Sequence, residues 1–70
     1  MIDAYQSASN HLRKKYFQGD YMGFGMDNSH YVLGVNGSEY KIPIFKWTQT
    51  NTFIKELEEK LKYKYPEIFL

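Results

Sequence analysis

Apolar residues recur at a helical spacing near both ends of the chain and at alternate positions through its middle. In the first stretch Ile2, Tyr5, Ala8 or Ser9, Leu12 and Tyr16 share one face of a 3.6-residue period, with Ser7, His11, Lys14 and Gln18 opposite. This spacing predicts an amphipathic helix. Asp3 stands where a carboxylate accepts from first-turn amides, with Gln6 as its capping-box partner, and Gly19 stands where a left-handed C-terminal cap is wanted. Arg13, Lys14 and Lys15 then oppose the negative end of the helix dipole.

From Tyr21 the period changes to two. Met22, Phe24 and Met26 alternate with Tyr21, Gly23 and Gly25, and Tyr31, Leu33 and Val35 alternate with His30, Val32 and Gly34. Asn36-Gly37 supplies the positive φ that a two-residue type I′ turn requires. That turn pairs Leu33 with Tyr40 and Tyr31 with Ile42, so the large residues of both strands fall on one face. Asp27-Asn28-Ser29 marks the preceding turn, and a loop of two or four residues keeps Met22 and Phe24 on that same face. Pro43 cannot donate to a ladder, which places the third strand at an edge.

Thr48 or Thr50 opens the last helix, whose stripe is Ile54, Leu57, Leu61 and Tyr65, with Phe53 on its flank. Glu56–Lys60 and Glu58–Lys62 have the favourable acid-before-base order, and Pro66 stops the helix near Lys64. Each helix has a single apolar stripe, so both must cover one face of the sheet. Residues 1–70 are therefore expected to form one α+β domain, αβββα, with a three-stranded antiparallel meander and both helices on one face. Its core is expected to hold Tyr31, Leu33, Val35, Phe24, Met22, Tyr40 and Ile42.

Composition narrows the functions. Seventy residues allow one small core, and the absence of cysteine excludes disulfides and thiolate metal sites, leaving aromatics, 19% of the chain, to fill the interior. A net charge of +1 argues against an acidic nucleic-acid mimic and against a strongly basic coat protein. No apolar run reaches the length of a membrane span, and Met1-Ile2-Asp3 does not begin a secretory leader, so a cytoplasmic protein with no membrane partner is expected.

Catalytic chemistry finds little support. His11 and His30 belong to different elements, and no Ser or carboxylate stands at a spacing that marks a nucleophile or an acid–base pair. Asp20 and Asp27 read as turn residues that bond their own backbone. Two histidines without an i,i+4 pairing make no metal site, and Gly23-Phe24-Gly25 lies inside a strand without the Lys-Ser or Lys-Thr of a phosphate loop. No catalytic residue, metal or cofactor is expected.

The sheet face away from the helices is more informative. Alternation assigns to it Tyr21, Gly23, Gly25, His30, Val32, Gly34, Lys41, Pro43, Phe45 and Trp47. Glycine weakens a strand, so three beside large aromatics ask for a reason, and close approach of another molecule is one. Tyr21, Gly23, Gly25, Val32, Gly34, Lys41, Phe45 and Trp47 are thus the candidate partner-binding residues, with Trp47 as the anchor. The edge of the third strand and the apolar tail Glu67-Ile68-Phe69-Leu70 are further candidate contacts, the tail docking on the domain or on a second chain.

Arg13, Lys14 and Lys15 with His11, and Lys60, Lys62 and Lys64 interleaved with Tyr63 and Tyr65, form two basic groups, of which Arg13, Lys14, Lys15, Lys62 and Lys64 are the alternative, nucleic-acid contacts. The αβββα order and the length resemble the architecture of double-stranded RNA-binding domains, which also place both helices on one sheet face. That resemblance implies phosphate-straddling cations in a Lys-Lys-x-Ala-Lys motif at the start of the last helix. Here the stretch reads Thr50-Asn51-Thr52-Phe53-Ile54-Lys55. The expected function is therefore a small non-catalytic protein-binding module, of the size of the inhibitors and adaptors made by phages and mobile elements. Its partner is another protein or a second copy; nucleic-acid binding is the alternative.

Overall fold

The computed structural model describes residues 3–69. Helix α1 spans Ala4–Lys15, strands β1, β2 and β3 span Met22–Met26, His30–Val35 and Ser38–Pro43, and helix α2 spans Thr50–Lys64. A 3-10 turn at Pro66–Phe69 follows. The strands form one antiparallel sheet in the order β1-β2-β3, so the fold is αβββα as the alternation implies. Ile2 and Leu70, expected in the first helix face and the tail, lie outside the described residues.

The register follows from the turns. Asn36 and Gly37 hold φ of 51° and 89°, the left-handed pair of a type I′ turn, and Leu33 faces Tyr40 while Tyr31 faces Ile42. In the other hairpin the Asp27 amide donates to the His30 carbonyl at 2.8 Å, leaving Asn28 and Ser29 as a two-residue turn. Phe24 consequently opposes Leu33, and Met22 opposes Val35, all on the helix side.

The N-terminus of α1 is capped by Asp3, whose carboxylate accepts from the Gln6 amide at 2.7 Å. The other end differs from expectation. The helix stops at Lys15, and Gly19, at φ 89°, lies in a separate turn where the Asp20 amide donates to the Phe17 carbonyl at 3.0 Å. A left-handed residue is needed there to reverse the chain, and the reversal tucks Phe17 into the core.

The core joins Ala4, Ala8 and Leu12 of α1 to Met22, Tyr31, Leu33 and Ile42 of the sheet and to Phe53, Leu57 and Leu61 of α2. Phe53 is central to it, with no exposed surface, rather than on the flank of its helix. The rings of Tyr5, Phe24, Tyr31, Phe45 and Trp47 surround it at centroid distances of 4.9 to 6.2 Å. With no disulfide available, this aromatic cluster supplies the dense apolar contact that a small domain needs.

The segment after β3 overturns the assignment of Phe45 and Trp47 to the glycine face. Strand alternation holds only while a neighbouring strand holds the chain, and Pro43 already pairs with His30, the first residue of β2. The next amide, Ile44, bonds to Ser29 in the turn at 3.2 Å, and the chain then leaves the sheet. Once free, it twists so that Phe45 and Trp47 pack on Tyr31 and Phe53 while Ile44 points outward at 43% exposure. Burying two large rings outweighs burying one Ile side chain. The tail also folds inward: Ile68 and Phe69 pack on the core, and Phe69 meets Tyr16 edge-on at 4.7 Å.

Candidate functional site: the open sheet face

Six of the candidate binding residues do come together. Cross-strand pairing aligns Gly23, Gly34 and Glu39 in one row and Gly25, Val32 and Lys41 in the next. Tyr21, 87% exposed, stands at one end of this face, and its amide donates to the Asn36 side chain at 3.3 Å. At the other end Lys41 Nζ lies 3.6 Å from Asp27 Oδ2. The Asp27 carboxyl is held below its ordinary value first by the Asn28 amide, which donates to it at 2.7 Å, and then by the Lys41 charge. The result is an open trough of about 760 Å3 floored by Gly23, Gly25, Val32 and Gly34.

Among the described residues, neither a clash nor a left-handed backbone requires these three glycines. A Cβ added at Gly23 or Gly25 meets no atom within 4 Å, and at Gly34 it meets only the Gly23 and Ser38 carbonyls at 4.0 Å, ordinary contact. None of the three has the left-handed φ that demands glycine, in contrast to Gly19 and Gly37. No aromatic ring folds over them, since Phe45 and Trp47 lie on the other side of the sheet. Glu39 belongs to this face and escaped the sequence reading, although the alternation that places Lys41 there also places Glu39.

The alternative, nucleic-acid contacts are for the most part occupied within the fold. Glu58, its side chain 17% exposed between the helices, accepts from the Tyr16 hydroxyl at 2.9 Å and lies 2.8 Å from His11 Nε2. Lys15 and Lys62 reach the same carboxylate at 3.3 and 3.5 Å. Burial alone raises the Glu58 carboxyl, but the hydrogen bonds from His11, Tyr16 and Lys15 overcome it and hold the group at about 2. Arg13 donates to the Met22 carbonyl at 2.9 Å, and Lys64 donates to the Lys41 carbonyl at 3.1 Å. Lys14 is exposed and has no ion-pair partner among the described residues.

Among the described residues no three His, Cys, Asp or Glu side chains converge to hold a metal ion, and no helix is long and apolar enough to cross a membrane. His30 Nδ1 lies 3.0 Å from the neighbouring Ser29 hydroxyl at the β1–β2 turn. What the open face offers is a flat, side-chain-poor floor with a charged rim at Glu39, Lys41 and Asp27. Compared with protein-family models, with curated proteins and with solved structures, the chain finds no match.

Proposed function

We propose that the chain is a small non-catalytic module that binds another protein through the open glycine face of its sheet, the role of an inhibitor or adaptor. The observation that carries this reading is the empty space above Gly23, Gly25 and Gly34. Each glycine in a strand interior costs about 0.5–1 kcal/mol relative to alanine, and a domain of this length has roughly 4–10 kcal/mol of stability in total. Three such positions, required by neither a clash nor a left-handed backbone, are accounted for by a partner whose backbone approaches the floor closely. The rim asks that partner for a cation toward Glu39 and polar groups toward the Lys41–Asp27 pair. Phe45 and Trp47, placed in the core side of the fold, have no part in the contact.

The test is to fill the trough without disturbing the fold. Gly23→Leu, Gly25→Leu and Gly34→Leu should keep the native circular dichroism and lose a partner that the wild-type chain retains at raised salt. Lys14→Glu, away from the face, should keep that partner. If binding survives all three glycine substitutions, the face is not the site and the reading fails.

A further inference from the structure

The two edges of the sheet are finished differently. On β3 the backbone groups that point away from β2 belong to Glu39, Lys41 and Pro43. The Lys41 amide donates to the Tyr65 hydroxyl at 3.3 Å, and its carbonyl accepts from that hydroxyl and from Lys64, each at 3.1 Å. Pro43 has no amide hydrogen. At Lys41 and Pro43 this edge is closed to a further strand.

The β1 edge carries no further strand and is exposed at Met26, while Met22, at 5% exposure with Arg13 on its carbonyl, must be uncovered for a second strand to pair there. Asn36 donates to the Tyr21 carbonyl and Asp27 donates to His30, so the odd-numbered residues between them turn their backbone groups toward β2. The amides and carbonyls of Met22, Phe24 and Met26 therefore point outward. Among the described residues these groups receive one hydrogen bond, from Arg13 to the Met22 carbonyl, which still has a second lone pair. Met26, a large apolar side chain at this edge, is 56% exposed.

We propose that β1 pairs antiparallel with β1 of a second copy about a two-fold axis at Phe24, joining two three-stranded sheets into one of six strands. The segment Met22-Gly23-Phe24-Gly25-Met26 reads the same in both directions. Paired about Phe24, it sets Met22 opposite Met26 of the second copy and Phe24 opposite Phe24, each position an outward-facing one, so every amide meets a carbonyl. A slip of one residue sets each outward group opposite a residue whose groups face β2, and the bonds are lost. Gly23 falls opposite Gly25 of the second copy, at the closer of the two strand spacings, where neither has a side chain to crowd the seam. On the helix side Met26 comes against Met22 and Phe24 of the second copy and loses its exposure. The inference stands apart from the sheet-face reading: the dimer widens that face but does not need a partner on it.

The test reads mass. Sedimentation of the wild-type chain should move from 8.4 kDa toward twice that value as concentration rises. Met26→Pro removes an outward amide while leaving the β1–β2 ladder intact, and should stay monomeric at every concentration with unchanged circular dichroism. Because the chain has no cysteine, Gly23→Cys and Gly25→Cys can be mixed and oxidised. The mixed disulfide should exceed its statistical proportion over the two like-with-like products. This second measurement decides the matter if Met26→Pro fails to fold. A wild-type chain that stays at 8.4 kDa into the millimolar range, a folded Met26→Pro that still dimerises, or disulfides in statistical proportion would overturn the proposal.

Discussion

The indole N–H of Trp47 donates to the Tyr31 hydroxyl at 3.3 Å, and that hydroxyl donates in turn to the Phe45 carbonyl at 3.2 Å. One tyrosine of the central strand thus holds both ends of the segment that leaves the sheet. Phe45→Ala with Trp47→Ala removes two rings stacked around Phe53 and should destabilise the domain by about 3 kcal/mol or more, enough to unfold much of the population. Tyr31→Phe keeps the ring and deletes the link, for an expected loss of about 1 kcal/mol. Urea denaturation followed by circular dichroism checks both. A double variant as stable as wild type would return the two rings to the surface.

The glycines divide into two groups with opposite expected behaviour. Gly37 and Gly19 hold φ of 89°, so alanine at either should cost about 1 kcal/mol. Gly23, Gly25 and Gly34 are extended with room for a side chain, and valine at any of them should stabilise the isolated domain by roughly 0.5–1 kcal/mol. Urea midpoints of the five single variants measure the division. If the sheet glycines destabilise when replaced, the fold itself requires them and a partner is no longer needed to explain them.

The strands and turns were legible in the sequence because each rests on local rules that reinforce one another. Asn36-Gly37 sets the turn, the turn sets the register, and the register puts Tyr31, Leu33, Tyr40 and Ile42 on one side, as the structure shows. Alternation failed beyond Ile44, where no neighbouring strand remains to enforce it and long-range burial against Phe53 decides instead. Phe53 itself was misplaced on a flank, since the helical stripe alone does not show that aromatic rings from the sheet and the following loop converge there. The Glu58–Lys62 pair was legible as an i,i+4 pair within one helix and forms at 3.5 Å, but the reach of Lys15 to the same carboxylate was not, because it depends on how the two helices lie together.

That pairing has a consequence for polyanions. Lys14 is the one candidate phosphate contact without a described partner, so any binding to DNA should be weak and vary with salt at a slope near that of a single neutralised phosphate, about −0.9 in log K against log salt. Glu58→Gln releases Lys15 and Lys62, and the slope should steepen toward that of three phosphates. Fluorescence titration of a labelled duplex at several salt concentrations reads both values. A steep slope in the wild type would instead favour the nucleic-acid reading.

Glu58 also makes stability depend on pH. Its carboxyl has an ordinary value of 4.5 and is held at about 2 in the folded chain, where burial opposes ionisation but the bonds from His11, Tyr16 and Lys15 prevail. The folded value is the lower one, so the unfolded chain binds the proton first. The contribution is therefore complete above pH 4.5 and is lost as pH falls toward 2. Each unit of separation corresponds to about 1.4 kcal/mol, which sets an upper limit of about 3.5 kcal/mol for this group. Glu58→Gln should lower stability at pH 7 and flatten the decline between pH 4.5 and 2. Tyr16→Phe removes one donor and should raise the Glu58 carboxyl, as followed by its side-chain carbon resonance. If the urea midpoints of Glu58→Gln run parallel to wild type across that interval, the carboxylate is not what joins α1 to α2.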